Sequence, residues 1–319
     1  MGYDVTSPYT KVDKVLTRLT VKFKTNVYVS DRILPDFKVQ KESDKYRIYN
    51  KTGFFKGAPK KGDTAKTAED MMSFSEGTYS CDEYAIKAIV SDRGVQNTDA
   101  PIKPFIDVTN FLSDKLALAE EIARCDLALT TLYAAAATRT VLDGTTNWKS
   151  GSGTIDILGN ISDAIIAISK GTGNRPNVLM MDTETFEVMC TDSSLITILQ
   201  NTTSRPIEAE KPISVIRGLP ITLADAVVNT ADEGATATYY NVLYDTASSY
   251  KQCVLLAYVN SGSPVNFGVN FVSRQRQIQR FRGTEGEDRG GTFLKASKVF
   301  GPKILNSSAG YIITNVLGA

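Results

Sequence analysis

The feature that most constrains this chain is a run of apolar residues at helical spacing that ends near Thr138. Phe111, Leu112, Leu116, Leu118, Ala119, Ile122, Ala123, Leu127, Leu129 and Leu132 form one wide stripe, and Ser113, Asp114, Glu120, Glu121 and Arg124 are assigned to the opposite face. Pro101 and Pro104 precede the run, and Asp107 or Thr109 supplies the expected N-cap. At about 1.5 Å per residue such a helix reaches roughly 50 Å, well beyond the usual length. It is a strut. The Glu120/Arg124 pair at i, i+4 contributes only about a few tenths of a kcal/mol, so burial of the stripe must hold the helix.

Ahead of the strut the chain is extended and basic. Leu19, Val21, Phe23, Val27 and Val29 alternate with Lys22, Lys24 and Tyr28, the period-2 pattern of a half-buried strand, behind an arm at residues 1–15. Residues 45–50 and 79–90 read as two further strands, rich in Tyr, Ile and Val. Between them lies a segment at 51–78 holding Gly53, Gly57, Pro59, Gly62 and Gly77. Long structureless loops inside compact domains are uncommon, and an isolated two-stranded hairpin is marginal in water. This hairpin has too few apolar residues for its own core, so its expected support is another molecule. Phe54, Phe55, Lys56, Lys60, Lys61, Lys66, Met71, Met72 and Phe74 are the candidate contact residues between subunits.

Beyond a Gly/Ser/Thr-rich link at 145–153 the pattern turns to alternating helices and strands. A helix at 160–170 stops at Gly171, a strand covers 177–181, and a second helix starts at Asp182 or Thr183. Strand material at 213–228 is broken by the turn signal Gly218-Leu219-Pro220, and 239–259 reads as two strands around 246–249. The end is extended again at 268–282, 295–300 and 310–316. The fold class is α+β, with a small α/β unit inserted between strand-rich segments.

The chemistry-bearing signals point away from catalysis. Among 319 residues there is no histidine, which removes Ser-His and Cys-His nucleophilic machinery and imidazole-dependent zinc sites. Gly57-Ala58-Pro59-Lys60-Lys61-Gly62 has P-loop spacing, but Asp63-Thr64 follows where Lys-Ser/Thr is required. Gly151-Ser152-Gly153 and Gly171-Thr172-Gly173 lack the third glycine of a dinucleotide fingerprint. Asp182 and Glu184 read as helix N-terminal acids favoured by the macrodipole. Cys81, Cys125, Cys190 and Cys253 form no CxxC pair and are expected as reduced thiols. No enzyme activity, cofactor or metal is expected, and no stretch is apolar enough for a membrane span.

Charge is balanced overall at net +1, but residues 1–66 carry 15 basic and 7 acidic residues while 67–130 carry 5 and 12. Opposite charge on adjacent segments suits a chain that meets copies of itself. Arg274, Arg276, Arg280 and Arg282 alternate along one segment with Ile278 on the same face. If extended, that face is a cationic ribbon for an interface or for the lumen of an assembly, locally countered by Glu285-Gly286-Glu287-Asp288.

The order of these parts resembles the major capsid proteins of tailed bacteriophages, with the HK97-like fold. The resemblance runs from near residue 16 to the C-terminus. It rests on Val21-Lys22-Phe23-Lys24 through Ile33-Leu34-Pro35, on Tyr46 to Tyr49 paired with Thr78-Tyr79-Ser80-Cys81-Asp82-Glu83-Tyr84, and on the long helix after Asp99-Ala100-Pro101. It rests further on Asn177-Val178-Leu179-Met180-Met181 between two helices, on Gly218-Leu219-Pro220-Ile221, and on the closing Val299-Phe300-Gly301-Pro302-Lys303 and Ala309-Gly310-Tyr311-Ile312-Ile313.

The resemblance implies an N-terminal arm and first strand at 1–40, an extended hairpin (E-loop) at 41–93, and a peripheral domain with its spine helix at 94–152. An axial domain at 153–268 and return strands of the peripheral domain at 269–319 complete it. It also implies a structural shell protein that assembles with itself into hexamers and pentamers, forming an icosahedral shell around double-stranded DNA held by weak non-specific contact. The shell would form in the host bacterial cytoplasm and end in the virion, with a portal protein and cement or decoration proteins as partners. Some relatives carry a scaffolding domain ahead of the shell protein. Here the pattern begins near residue 16 behind Met1, so a separate scaffolding protein is expected. None of the loop lysines matches the crosslinking lysine of other relatives. The alternative within the same fold is an encapsulin-like nanocompartment shell protein enclosing protein cargo.

Overall fold

The computed structural model describes residues 11–12, 28–49, 55–98, 103–149, 156–193, 195–197, 214–229, 231, 236, 239–243, 252–263, 265–282 and 284–318. The strand expected over 19–29 therefore lies mostly outside the described residues. Strand β1 is Lys11–Val12, and a 3₁₀ turn at Ser30–Arg32 leads into β2 at Asp36–Lys38. Then follow β3 (Ser43–Tyr49), β4 (Phe74–Ser80), β5 (Asp82–Ser91) and the short helix α1 (Asp92–Gln96). The strut is α2, Pro104–Ala134, followed by β6 at Arg139–Val141. Helix α3 (Ile157–Thr172), β7 (Val178–Met181) and α4 (Thr183–Cys190) come next. Strands β8 (Val215–Ile216), β9 (Leu219–Leu223), β10 (Val227–Asn229), β11 (Tyr239–Asn241) and β12 (Val254–Ala257) lead on to β13 (Gly268–Phe281). Helix α5 (Thr284–Asp288), β14 (Gly291–Ile304) and β15 (Gly310–Thr314) close the chain.

Two sheets share one helix. The first has the order β1-β13-β14-β5, with β2 parallel to β13, and the first half of α2 lies on it. Leu112 and Leu116 of α2 pack there against Val90, Ile278, Leu294 and Ala296. The second has the order β6-β15-β12-β7-β9-β8. Along β7 the period of two sends Leu179 and Met181 to one face, against Ile161, Ala164 and Ile168 of α3. Met180 faces the other way, against Cys125, Ala128, Leu129 and Leu132 in the second half of α2. One helix thus seals both sheets, which is why it is so long.

Several expectations are corrected in detail. The strut begins at Pro104, with proline in the first turn, and not at a cap on Asp107 or Thr109. The Thr109 hydroxyl instead donates back to the Phe105 carbonyl at 2.6 Å. Helix α3 starts at Ile157, capped by Asp156, whose carboxylate accepts from Gly159 N at 2.7 Å. It stops at Gly173, which holds φ of 71°, and not at Gly171, which packs against Ser308. Helix α4 starts at Thr183 with Asp182 as its cap, as expected. The β8–β9 turn is Arg217-Gly218, with φ of 50° and 78°, and Pro220 belongs to β9.

The segment read as one strand over 79–90 is two. Residues up to Ser80 pair with β3, while residues from Asp82 pair with β14. The switch occurs where β14 passes beneath at Gly301, where a Cβ would stand 2.0 Å from the Ser80 carbonyl oxygen. Only glycine lets the two backbones approach so closely. The second sheet also reaches outside the expected axial span of 153–268, because it takes β6 from before it and β15 from after it.

Candidate functional site

The β3–β4 hairpin is a separate two-stranded sheet, with Ser43 opposite Ser80 and Tyr49 opposite Phe74. Its base is anchored on the body by one ring. Phe271 of β13 stacks on Tyr79 at 4.3 Å between centroids, takes Tyr46 at 5.7 Å, and meets Phe37 edge-on at 6.0 Å. Val269 and Val299 complete this patch, and the Cys81 thiol lies 3.4 Å from the Phe271 carbonyl oxygen. Further out, side chains bridge the two strands: Lys45 to Glu76 at 2.8 Å, and the Arg47 guanidinium over Phe74 at 4.6 Å. Tyr46 lies over its cross-strand partner Gly77, filling the space a side chain would take.

Past the base the apolar support ends. Every residue from Phe55 to Glu76 is exposed, including Lys56, Lys60, Lys61 and Lys66. Met71 is 90% exposed and Met72 63%. Single exposed apolar side chains are ordinary, but Phe55, Met71, Met72 and Phe74 stand exposed together on one projecting segment. Phe54 lies outside the described residues. The ring edge of Phe55 lies against Gly173 at the end of α3.

A second constellation, missed in the sequence reading, fixes the frame from which the hairpin projects. Glu120, Glu121, Ser113 and Arg124, placed by periodicity on the solvent face of α2, are buried. Arg124 reaches Asp36 of β2 at 2.5 Å and also Glu120; Lys298 of β14 bonds Glu120 and lies 3.3 Å from Asp36. Asn270 of β13 donates to Asp36 at 2.8 Å and to Glu120 at 3.1 Å. Two acids and two bases from three elements neutralise one another beneath the arm segment, and the amide ties in a fourth. Burial works to raise the Asp36 pKa, but the attraction of Arg124 and Lys298 outweighs it, so the carboxyl titrates below its usual value. Glu121 serves the arm directly, accepting from Val29 N at 3.0 Å and from Ser30. Tyr28 donates to Asp114 at 3.0 Å, and burial together with that bond pushes its phenol up. The signal was present in the sequence. Leu112, Leu116, Glu120, Arg124, Ala128 and Leu132 are one i, i+4 ridge, so the charges continue the apolar line.

Arg274, Arg276 and Arg280 lie on strand β13 and Arg282 directly follows its end, but the expected single free cationic face is corrected. Register shifts between Val272 and Arg274 and between Arg274 and Gln277 break the alternation, and the face with Ile278 turns toward α2. Arg280 lies over the Phe105 ring at 4.3 Å, and Arg282 pairs with Asp92 at 2.6 Å. Burial lowers the Arg276 pKa against the pull of Glu120, Asp114 and Asp36. Arg274 is the exposed member, 3.8 Å from Glu42. Among the described residues no group of three or more acid or cysteine side chains is placed to hold a metal ion. Among the described residues no helix is long and apolar enough to cross a membrane.

No family model and no curated protein matches the sequence. Solved structures do match its fold. A phage-related protein from Bordetella bronchiseptica RB50 superposes with a TM-score of 0.71 at 18% identity, covering 97% of this chain and 98% of its own. The mature capsid of bacteriophage PhiM1 gives 0.62 at 10% identity, over 92% and 88% of the two chains. A virus-like particle from Pyrococcus furiosus gives 0.52 at 14% identity, over 93% and 95%. A helix-spanned pair of sheets with a projecting hairpin, matched over nearly the whole length, is the α+β HK97-like fold of phage capsid proteins.

Proposed function

We propose that this chain is a shell-forming capsid protein whose copies join through the β3–β4 hairpin. The observation that carries the reading is the hairpin itself: anchored at its base by Phe271, it is exposed from Phe55 to Glu76 with apolar side chains at its tip. A projection that cannot bury its own apolar groups is completed by the body of a neighbouring copy, and such head-to-tail contacts close into rings. In this reading the copies form hexamers and pentamers of an icosahedral shell around double-stranded DNA. Residues 41–93 act as the joining arm, α2 and the first sheet as the peripheral frame, and the second sheet with α3 as the axial unit. Arg274, exposed on β13, and the loop lysines Lys56, Lys60, Lys61 and Lys66 contribute charge at the joints. A scaffolding protein, a portal and cement proteins are the further partners of such a shell.

The test is assembly of the purified chain, followed by light scattering and electron microscopy of negatively stained particles. Capsomer rings are expected from the full chain by itself and closed shells once its scaffolding partner is supplied, and neither from a variant in which residues 55–73 are replaced by a two-residue turn. A shortened variant that still closes shells would remove the hairpin from the joint, and a dispersed full chain under all assembly conditions would end the reading.

The likeness to the Pyrococcus furiosus virus-like particle supports a second reading, a closed compartment around protein cargo. Particles purified from the native source distinguish the two, because one encloses nucleic acid and the other protein.

A further inference from the structure

The tip of the hairpin is not free of its own chain. Gly173 closes α3 in the left-handed conformation, φ 71°, with its amide donating to the Ser169 carbonyl at 2.8 Å. The missing side chain leaves a flat seat, and Phe55 occupies it. A Cβ at Gly173 would stand 3.1 Å from Phe55 Cε1 and 3.7 Å from Cζ. Phe55 is still 55% exposed, and the residues after it are exposed as far as Glu76. The loop therefore rests on the axial unit through the edge of a ring and carries its two methionines in the open.

We propose that this contact is a parking position. In the dispersed chain Phe55 holds the hairpin tip on its own α3, and a copy can offer the hairpin to a neighbour only after the ring lifts off Gly173. The inference rests on the shell reading and adds its regulation: self-contact competes with contact between copies. The physics is that of a two-state equilibrium, in which the rate of joining scales with the fraction of copies whose hairpin is released. An aromatic ring covered on one edge gives a shallow well. The released fraction is thus lowered only about three- to tenfold, enough to delay nucleation and too little to prevent it.

The seat can be altered without touching the hairpin. Asparagine is the residue after glycine that best tolerates the left-handed cap, and its Cβ would push against the ring. In Gly173→Asn, trypsin is expected to cut the dispersed chain at Lys56 about three- to tenfold faster, and the lag before light scattering rises is expected to shorten by a similar factor. The final particles should match those of the unaltered chain. Phe55→Ala, which leaves the α3 cap intact, is expected to give the same faster cleavage and guards against a folding defect in the first variant. Unchanged cleavage in Phe55→Ala overturns the parking contact, whatever the particles look like. Faster cleavage with an unchanged or longer lag in Gly173→Asn shows that the contact is no brake and overturns the proposal. If the unaltered chain never assembles, the shell reading fails and the brake with it, while the cleavage comparison still reports whether the tip is held.

Discussion

The carboxylate of Glu121 accepts the Ser30 hydroxyl at 2.5 Å and the Ser30 amide at 3.1 Å. A buried helix side chain thereby satisfies the orphan donors of a 3₁₀ turn 91 residues earlier in the chain. The next residue back, Glu120, holds Arg124 and Lys298, which both also face Asp36. Consecutive acids on one helix thus grip the arm segment at both ends of Ser30 to Asp36, and between the grips Ile33 and Leu34 are fully buried. The arm segment is part of the body's core, and the hairpin that follows it starts from a fixed point.

Glu121→Ala leaves two amides and a hydroxyl without their acceptor in a buried site. Hydrogen bonds to a charged group contribute about 1.5–3 kcal/mol each, and the losses here are coupled. The expected outcome is destabilisation of about 3 kcal/mol in urea unfolding, with Glu121→Gln intermediate. A change below about 0.5 kcal/mol would mean the turn is held by Ile33 and Leu34 alone.

The Asp36 carboxyl titrates lower in the folded chain than in the unfolded one, because Arg124 and Lys298 favour its charged form over the burial penalty. The stability it contributes is therefore complete above its unfolded pKa and is lost as pH falls through the lowered folded value. Unfolding midpoints measured between neutral and strongly acid pH should fall more steeply for the unaltered chain than for Asp36→Asn. Parallel curves would show that the carboxylate carries no net linkage.

Phe271→Ala removes the ring on which Tyr79, Tyr46 and Phe37 converge. Large-to-small substitution of a buried aromatic costs about 3–5 kcal/mol. Because the ring anchors the hairpin base, protease cleavage within β3 and β4 should rise more than cleavage within the second sheet. Uniform loss of protection across both would place Phe271 in the general core.

Gly301→Ala forces a Cβ to within 2.0 Å of the Ser80 carbonyl oxygen, a backbone atom that can yield only by moving the strand switch at Cys81. Overpacking against backbone costs at least about 1–3 kcal/mol. A clear drop in the thermal midpoint is expected for Gly301→Ala. Gly57→Ala, in open space on the loop, should leave the midpoint unchanged.

Periodicity in the sequence determined α2, the helices and strands around β7, the long C-terminal strands and the projecting hairpin, because each is a local pattern of apolar spacing and turn residues. It determined the α+β class for the same reason. What it left to the tertiary structure is everything that depends on a partner distant in the chain. Glu120 and Arg124 look solvated until Asp36 and Lys298 arrive from opposite ends of the sequence, since a charge enters a core only where its counter-charge is brought to it. The break at Cys81 follows from the passage of Gly301, and the end of the cationic face follows from bulges in β13 that only its pairing with β14 reveals. Local spacing decides which way side chains face along an element, while close approach and charge compensation are properties of two elements meeting and are set by the fold alone.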